Sequence, residues 1–89
     1  MTLNEVKRII KEENLKWANL DPSQPFEEYQ LVLRFKDNEW QVYALGERAS
    51  IRSLVFKFAT EEEALEDFLD KLRFQNAEVK YIQKLMRNK

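Results

Sequence analysis

From Thr60 to Lys89 the chain runs without a glycine or a proline, and this stretch constrains the fold more than any other. Thr60-Glu-Glu-Glu63 has the form of a capping box, a hydroxyl followed three residues later by a glutamate, and opens a helix. Ala64, Leu65, Phe68, Leu69 and Leu72 then fall at helical spacing as a core-facing stripe. Leu65, Leu72, Val79 and Met86 recur every seven residues, so the stripe can continue to the end. A helix of that length spans roughly 40 Å at about 1.5 Å per residue, whereas a strand of about seven residues covers about 23 Å. Either the second half overhangs the sheet, or the helix bends near Gln75-Asn76. At about 100° per residue, Phe74, Tyr81 and Leu85 lie almost opposite the first stripe, so the C-terminal half is apolar on two sides. Either it folds back on itself or a partner covers the second stripe.

The preceding residues alternate between helix and strand patterns. Thr2-Leu-Asn-Glu5 is another capping box, and Leu3, Val6, Ile9 and Ile10 make residues 3–13 an amphipathic helix. Asn14 to Glu28 is a connection carrying Pro22 and Pro25, with Trp17, Leu20 and Phe26 as anchors onto the core. It is long for a compact domain, so a short strand near Leu15–Ala18 is expected inside it. Tyr29, Leu31, Leu33 and Phe35 alternate with Gln30, Val32 and Arg34 along a first strand. Asp37-Asn38 is a turn pair leading into a second strand, Trp40–Leu45. After the connection Gly46–Ser50, Ile51–Phe58 reads as a third. These elements predict a single α+β domain over residues 1–89 in the order α-β-β-β-α. It has a three-stranded antiparallel sheet, helices packed mainly on one face, and a long or kinked C-terminal helix.

The residue inventory argues against catalysis. The 89 residues include no histidine, no cysteine and one glycine, Gly46. The usual metal ligands, the neutral-pH proton shuttle and the phosphate-cradling loops are therefore missing. Ser23, Ser50 and Ser53 have no histidine to activate them. Glu12-Glu13, Glu27-Glu28 and Glu61–Glu63 are sequence neighbours that point in different directions, so nothing predicts a converging pair of carboxylates. No catalytic residue, metal site or cofactor is expected. No run approaches the roughly 20 apolar residues of a membrane span, and the chain opens on a polar helix, so a cytoplasmic protein is expected.

Binding is the class that remains. Fifteen basic and sixteen acidic residues leave a net charge of −1, which disfavours a nucleic-acid module built on the basic tail Lys80–Lys89. Acids fill Glu61–Asp70 and bases dominate Lys71–Lys89, matching the helix macrodipole. If the helices cover the Leu31/Leu33 side of the sheet, Val32, Tyr43 and Val55 can align on the other side as an apolar strip beside Arg34. The alternative is that the first helix or the Asn14–Glu28 connection covers that side. Glu47 and Arg48, beside the only glycine, form a loop that either grips a partner or is an ordinary solvated turn. The exposed helical stripe adds Phe74, Tyr81 and Leu85, which also fit a homodimeric adaptor or regulatory subunit.

Trp40-Gln-Val-Tyr43, then Gly46-Glu47-Arg48, then Phe58-Ala-Thr-Glu-Glu-Glu-Ala64 resembles the pattern Trp-x-Val-Tyr, Glu-Arg-Gly, Phe-x-Ser/Thr-Glu-x-x-Ala. That pattern belongs to the immunity protein 59 family of bacterial polymorphic-toxin systems. The similarity spans about residues 3–72, with its distinctive part between Trp40 and Ala64. In the family, glycine follows the arginine, whereas here Gly46 precedes the glutamate. The resemblance implies an α+β antitoxin that binds and neutralises a cognate toxin without catalysis, with Tyr43, Glu47 and Arg48 as the family-like positions. It also implies that an acidic surface such as Glu61–Asp70 suits a basic nuclease cleft.

Overall fold

The structure is a computed structural model that describes residues 1–20, 25–46 and 55–87. Thr2 caps the first helix, α1 (Leu3–Glu12), its hydroxyl accepting from the Glu5 N–H at 3.2 Å. Four strands follow: β1 (Ala18–Asn19), β2 (Leu31–Lys36), β3 (Glu39–Ala44) and β4 (Phe56–Phe58). Thr60 opens α2 (Glu61–Arg87) by accepting from the Glu63 N–H at 3.2 Å. Both hydroxyl caps thus form where the sequence places them.

The sheet has the order β1-β2-β3-β4. The β2–β3 hairpin pairs Leu31 with Ala44 through to Lys36 with Glu39 and turns at Asp37 and Asn38. Both turn residues have positive φ (56° and 61°), as expected of a type I′ turn that matches the strand twist. β4 adds antiparallel to β3, with Trp40 opposite Phe58. The expected third strand began at Ile51, and its Ile51–Leu54 part lies outside the described residues.

Two expectations are revised. The three-stranded antiparallel sheet is a four-stranded mixed one, because β1 lies parallel to β2, with Ala18 opposite Leu31. The strand sought near Leu15–Ala18 sits slightly later, held by the Leu31 N–H donating to the Trp17 carbonyl at 2.7 Å. In addition, Tyr29 does not continue the inward alternation of β2. Its φ of 64° turns the chain before the strand starts and leaves the ring exposed.

Both helices pack on one face of the sheet. Val6 of α1 and Ala64, Leu65, Phe68 and Leu72 of α2 meet Leu31, Leu33 and Val42 in one buried cluster. Burying each large aliphatic or aromatic side chain contributes roughly 1.5–3 kcal/mol, which makes this layer the main source of stability.

α2 does not break at Gln75-Asn76. Asn76 is buried, and its carboxamide bonds the Lys16 backbone and the Leu72 carbonyl. Gln75 donates to the Tyr29 carbonyl at 2.6 Å. The polar pair fastens the helix to two connections. Beyond it the helix continues past the sheet, consistent with molecular extents of 48 × 28 × 20 Å.

Candidate binding surface

The sheet face opposite the helices is closed. Val32 and its register partner Tyr43 are buried with Leu45, and Val55 packs against them. Phe26, from the connection before β2, meets the Tyr43 ring edge-on at 6.3 Å. Arg34 places its guanidinium 4.9 Å from the centre of the same ring and donates from Nε to Gln41 Oε1 at 2.9 Å. Burial pushes the Tyr43 phenol up from its ordinary value, partly countered by the charge of Arg34. Its hydroxyl is buried with no hydrogen-bond partner among the described residues. The expected open strip of Val32, Tyr43 and Val55 is therefore a second small core, covered in part by the preceding connection. Glu47 and Arg48 lie outside the described residues.

The helical stripe is open. Phe74 is 70% exposed, Tyr81 64% and Leu85 50%. Met86 is 68% exposed although its heptad spacing puts it on the core stripe, because no sheet lies beneath that end of the helix. Ile82 is also exposed and was not among the residues singled out by spacing. Its signal was present in the sequence as the extra apolar position beside Tyr81.

Two clefts flank the middle of α2. One of about 400 Å³ runs between α2 and the sheet end, lined by Leu45, Phe56, Lys71, Phe74 and Glu78. There the Lys71 ammonium sits 4.0 Å from the Phe56 ring centre while it pairs with Asp67. The other, of about 490 Å³, is lined by Trp17, Tyr29, Val79 and Ile82. Gln75 and Glu78 border both and form the ridge between them.

Arg73 reaches across to α1 and grips Glu13 with two donors, one at 3.0 Å. This pairing lowers the Glu13 carboxyl below its ordinary value and raises the Arg73 guanidinium. Among the described residues, no three acidic side chains converge to hold a metal ion. None of the described helices is long and apolar enough to cross a membrane.

The arrangement is a long helix carrying large exposed apolar side chains past its support, with clefts on either side. A match to immunity protein 59 covers residues 2–87. The chain belongs to the immunity protein 59 family. No curated protein matches it, and neither does any solved structure.

Immunity protein 59 membership implies a toxin-neutralising role, in a class of proteins that is generally non-enzymatic. The match reaches beyond the segment on which the sequence resemblance rested and takes in the overhanging half of α2. Phe74, Tyr81 and Leu85 of this immunity protein 59 member therefore lie within the family's own unit.

Proposed function

We propose that this immunity protein neutralises its cognate toxin in the cytoplasm by stoichiometric protein–protein binding, with Phe74, Tyr81 and Leu85 as the anchoring side chains. The observation that carries the reading is the exposure of these residues on a helix that has left its sheet. Large aromatic side chains held on a rigid element are the usual energetic anchors of an interface. Their ordering cost on binding is small, because the helix is already formed. The clefts beside Gln75 and Glu78 are shaped to accept side chains from the partner. Arg34 and Val55 make up a separate contact region in this reading, and Glu47 and Arg48, outside the described residues, are proposed as contacts on the sequence alone. Val32 and Tyr43 support that region from beneath.

The test is co-expression with the toxin candidate encoded beside this gene. Cells survive only when the immunity protein is present, and the two proteins co-purify at a 1:1 ratio. The double variant Phe74→Glu/Tyr81→Glu keeps its helical circular dichroism and loses protection. Unaffected killing by the toxin rejects the function, whereas full protection by the double variant rejects the assigned surface.

A further inference from the structure

We propose that the cleft between Trp17, Tyr29 and residues 75–82 of α2 is a receptor for an arginine side chain presented by a protein partner. This deepens the toxin-binding reading and rests on it only for the identity of that partner. Trp17, Tyr29, Val79 and Ile82 give the cleft of about 490 Å³ its aromatic and apolar walls, and Glu78 is the charged residue among the described ones that line it. Elsewhere the chain stacks its own cations on its rings, Arg34 on Tyr43 and Lys71 on Phe56. Among the described residues, no cation and no second ring lies against Trp17 or Tyr29, and Glu78 has no ion-pair partner. Lys16 and Lys80 line a separate cleft that shares Trp17, and neither sits over its ring. Two aromatic residues and a carboxylate thus meet here without a cation of their own.

The backbone holds the two aromatic residues in place. Trp17 and Tyr29 both have positive φ, 69° and 64°, a conformation that costs a bulky residue energy and clusters at functional sites. The Trp17 carbonyl accepts from the Leu31 N–H at 2.7 Å, and the Tyr29 carbonyl accepts from Gln75 of α2 at 2.6 Å. Asn76 bonds the backbone of Lys16, next to Trp17. The walls are therefore fastened to one another before a ligand arrives, which lowers the ordering cost of binding. A guanidinium suits these groups better than an ammonium does. Its flat face stacks on an aromatic ring while its edge donates two parallel hydrogen bonds to a carboxylate. Its methylene stem covers Val79 and the half-exposed Ile82.

NMR titration of the full chain with Nα-acetyl-arginine amide tests the proposal, because the two tryptophans report separately. The Trp17 indole N–H shifts with millimolar affinity, and that of Trp40, packed beside Phe35 on the hairpin, stays in place. Nα-acetyl-lysine amide binds more weakly, and uncharged Nα-acetyl-norleucine amide leaves Trp17 unmoved. Glu78→Gln and Tyr29→Gly each weaken binding of the arginine probe about fourfold. Both positions are exposed, and glycine suits the positive φ of Tyr29, so the fold is kept. A Trp17 signal that ignores the arginine probe overturns the proposal. So does a norleucine probe that shifts Trp17 as far, a lysine probe that binds as tightly, or full arginine affinity in both variants. No toxin enters these titrations. Protection in cells without arginine binding rejects the cleft alone, and arginine binding without protection rejects the toxin reading alone.

Discussion

Asn76 and Lys16 hold each other through a two-way pair of hydrogen bonds. The Asn76 Oδ1 accepts from the Lys16 N–H at 2.8 Å, and its Nδ2 donates to the Lys16 carbonyl at 3.0 Å. The same Nδ2 donates to the Leu72 carbonyl one turn back at 2.8 Å. A side chain thereby stands in for a strand edge, satisfying a backbone segment between α1 and β1 that has no ladder partner of its own.

Removing that side chain takes away the part-buried partner of the Lys16 N–H and carbonyl. Asn76→Ala is expected to lower stability by about 2–3 kcal/mol in urea denaturation. It should also speed hydrogen exchange at the Lys16 amide relative to amides in the β2–β3 hairpin. An unchanged midpoint with unchanged Lys16 exchange sinks the clamp.

The Glu13–Arg73 pair gives a pH dependence of known sign. Arg73 holds the folded-state Glu13 carboxyl below its ordinary value. Its contribution is therefore complete above the ordinary glutamate value and is lost as pH falls through the depressed one. Both side chains are exposed, so the effect is modest and screened by salt. Carbon-detected NMR titration should find Glu13 returned towards its ordinary value in Arg73→Gln. Between about pH 5 and 3 the urea midpoint of that variant should fall less steeply than that of the parent.

The Tyr43 hydroxyl is buried and has no hydrogen-bond partner among the described residues, and a buried hydroxyl left unpaired costs stability. Tyr43→Phe is expected to be at least as stable as the parent, by up to about 1 kcal/mol, with the Phe26 and Val32 contacts retained. A loss of more than about 1 kcal/mol would show that the phenol is engaged. Thermal denaturation reads the difference.

The Asp37-Asn38 turn needs two left-handed residues. Asn38→Gly should raise stability by about 0.5 kcal/mol, whereas Asn38→Val, a β-branched residue forced to positive φ, should lower it by about 1–2 kcal/mol. Equal stability of the two variants contradicts the turn geometry.

What the sequence made legible was local. The two hydroxyl-glutamate caps, the alternation of Leu31 and Leu33 against Val32, and the turn pair all act within a few residues, and each formed as read. The exposed stripe of Phe74, Tyr81 and Leu85 was equally readable, because helical periodicity needs no tertiary information. Contacts between distant segments were not. Asn76 looks like a weak point in a helix until Lys16, sixty residues away, is brought against it. Phe26 looks like a loop anchor with no assigned target until its ring meets Tyr43. Met86 keeps the core spacing where the core has already ended. β1 escaped its expected place because two residues paired in parallel leave almost no pattern to read.

The fastening of α2 at Gln75 and Asn76 gives the overhang a mechanical meaning. A rod clamped near its midpoint acts as a lever, so a load applied at Leu85 or Met86 bears on the clamp before it reaches the sheet. The first backbone to feel that torque is at Lys16 and Tyr29, which lead into two neighbouring strands. A grip on the tip is thus transmitted to the edge of the sheet through two carboxamides.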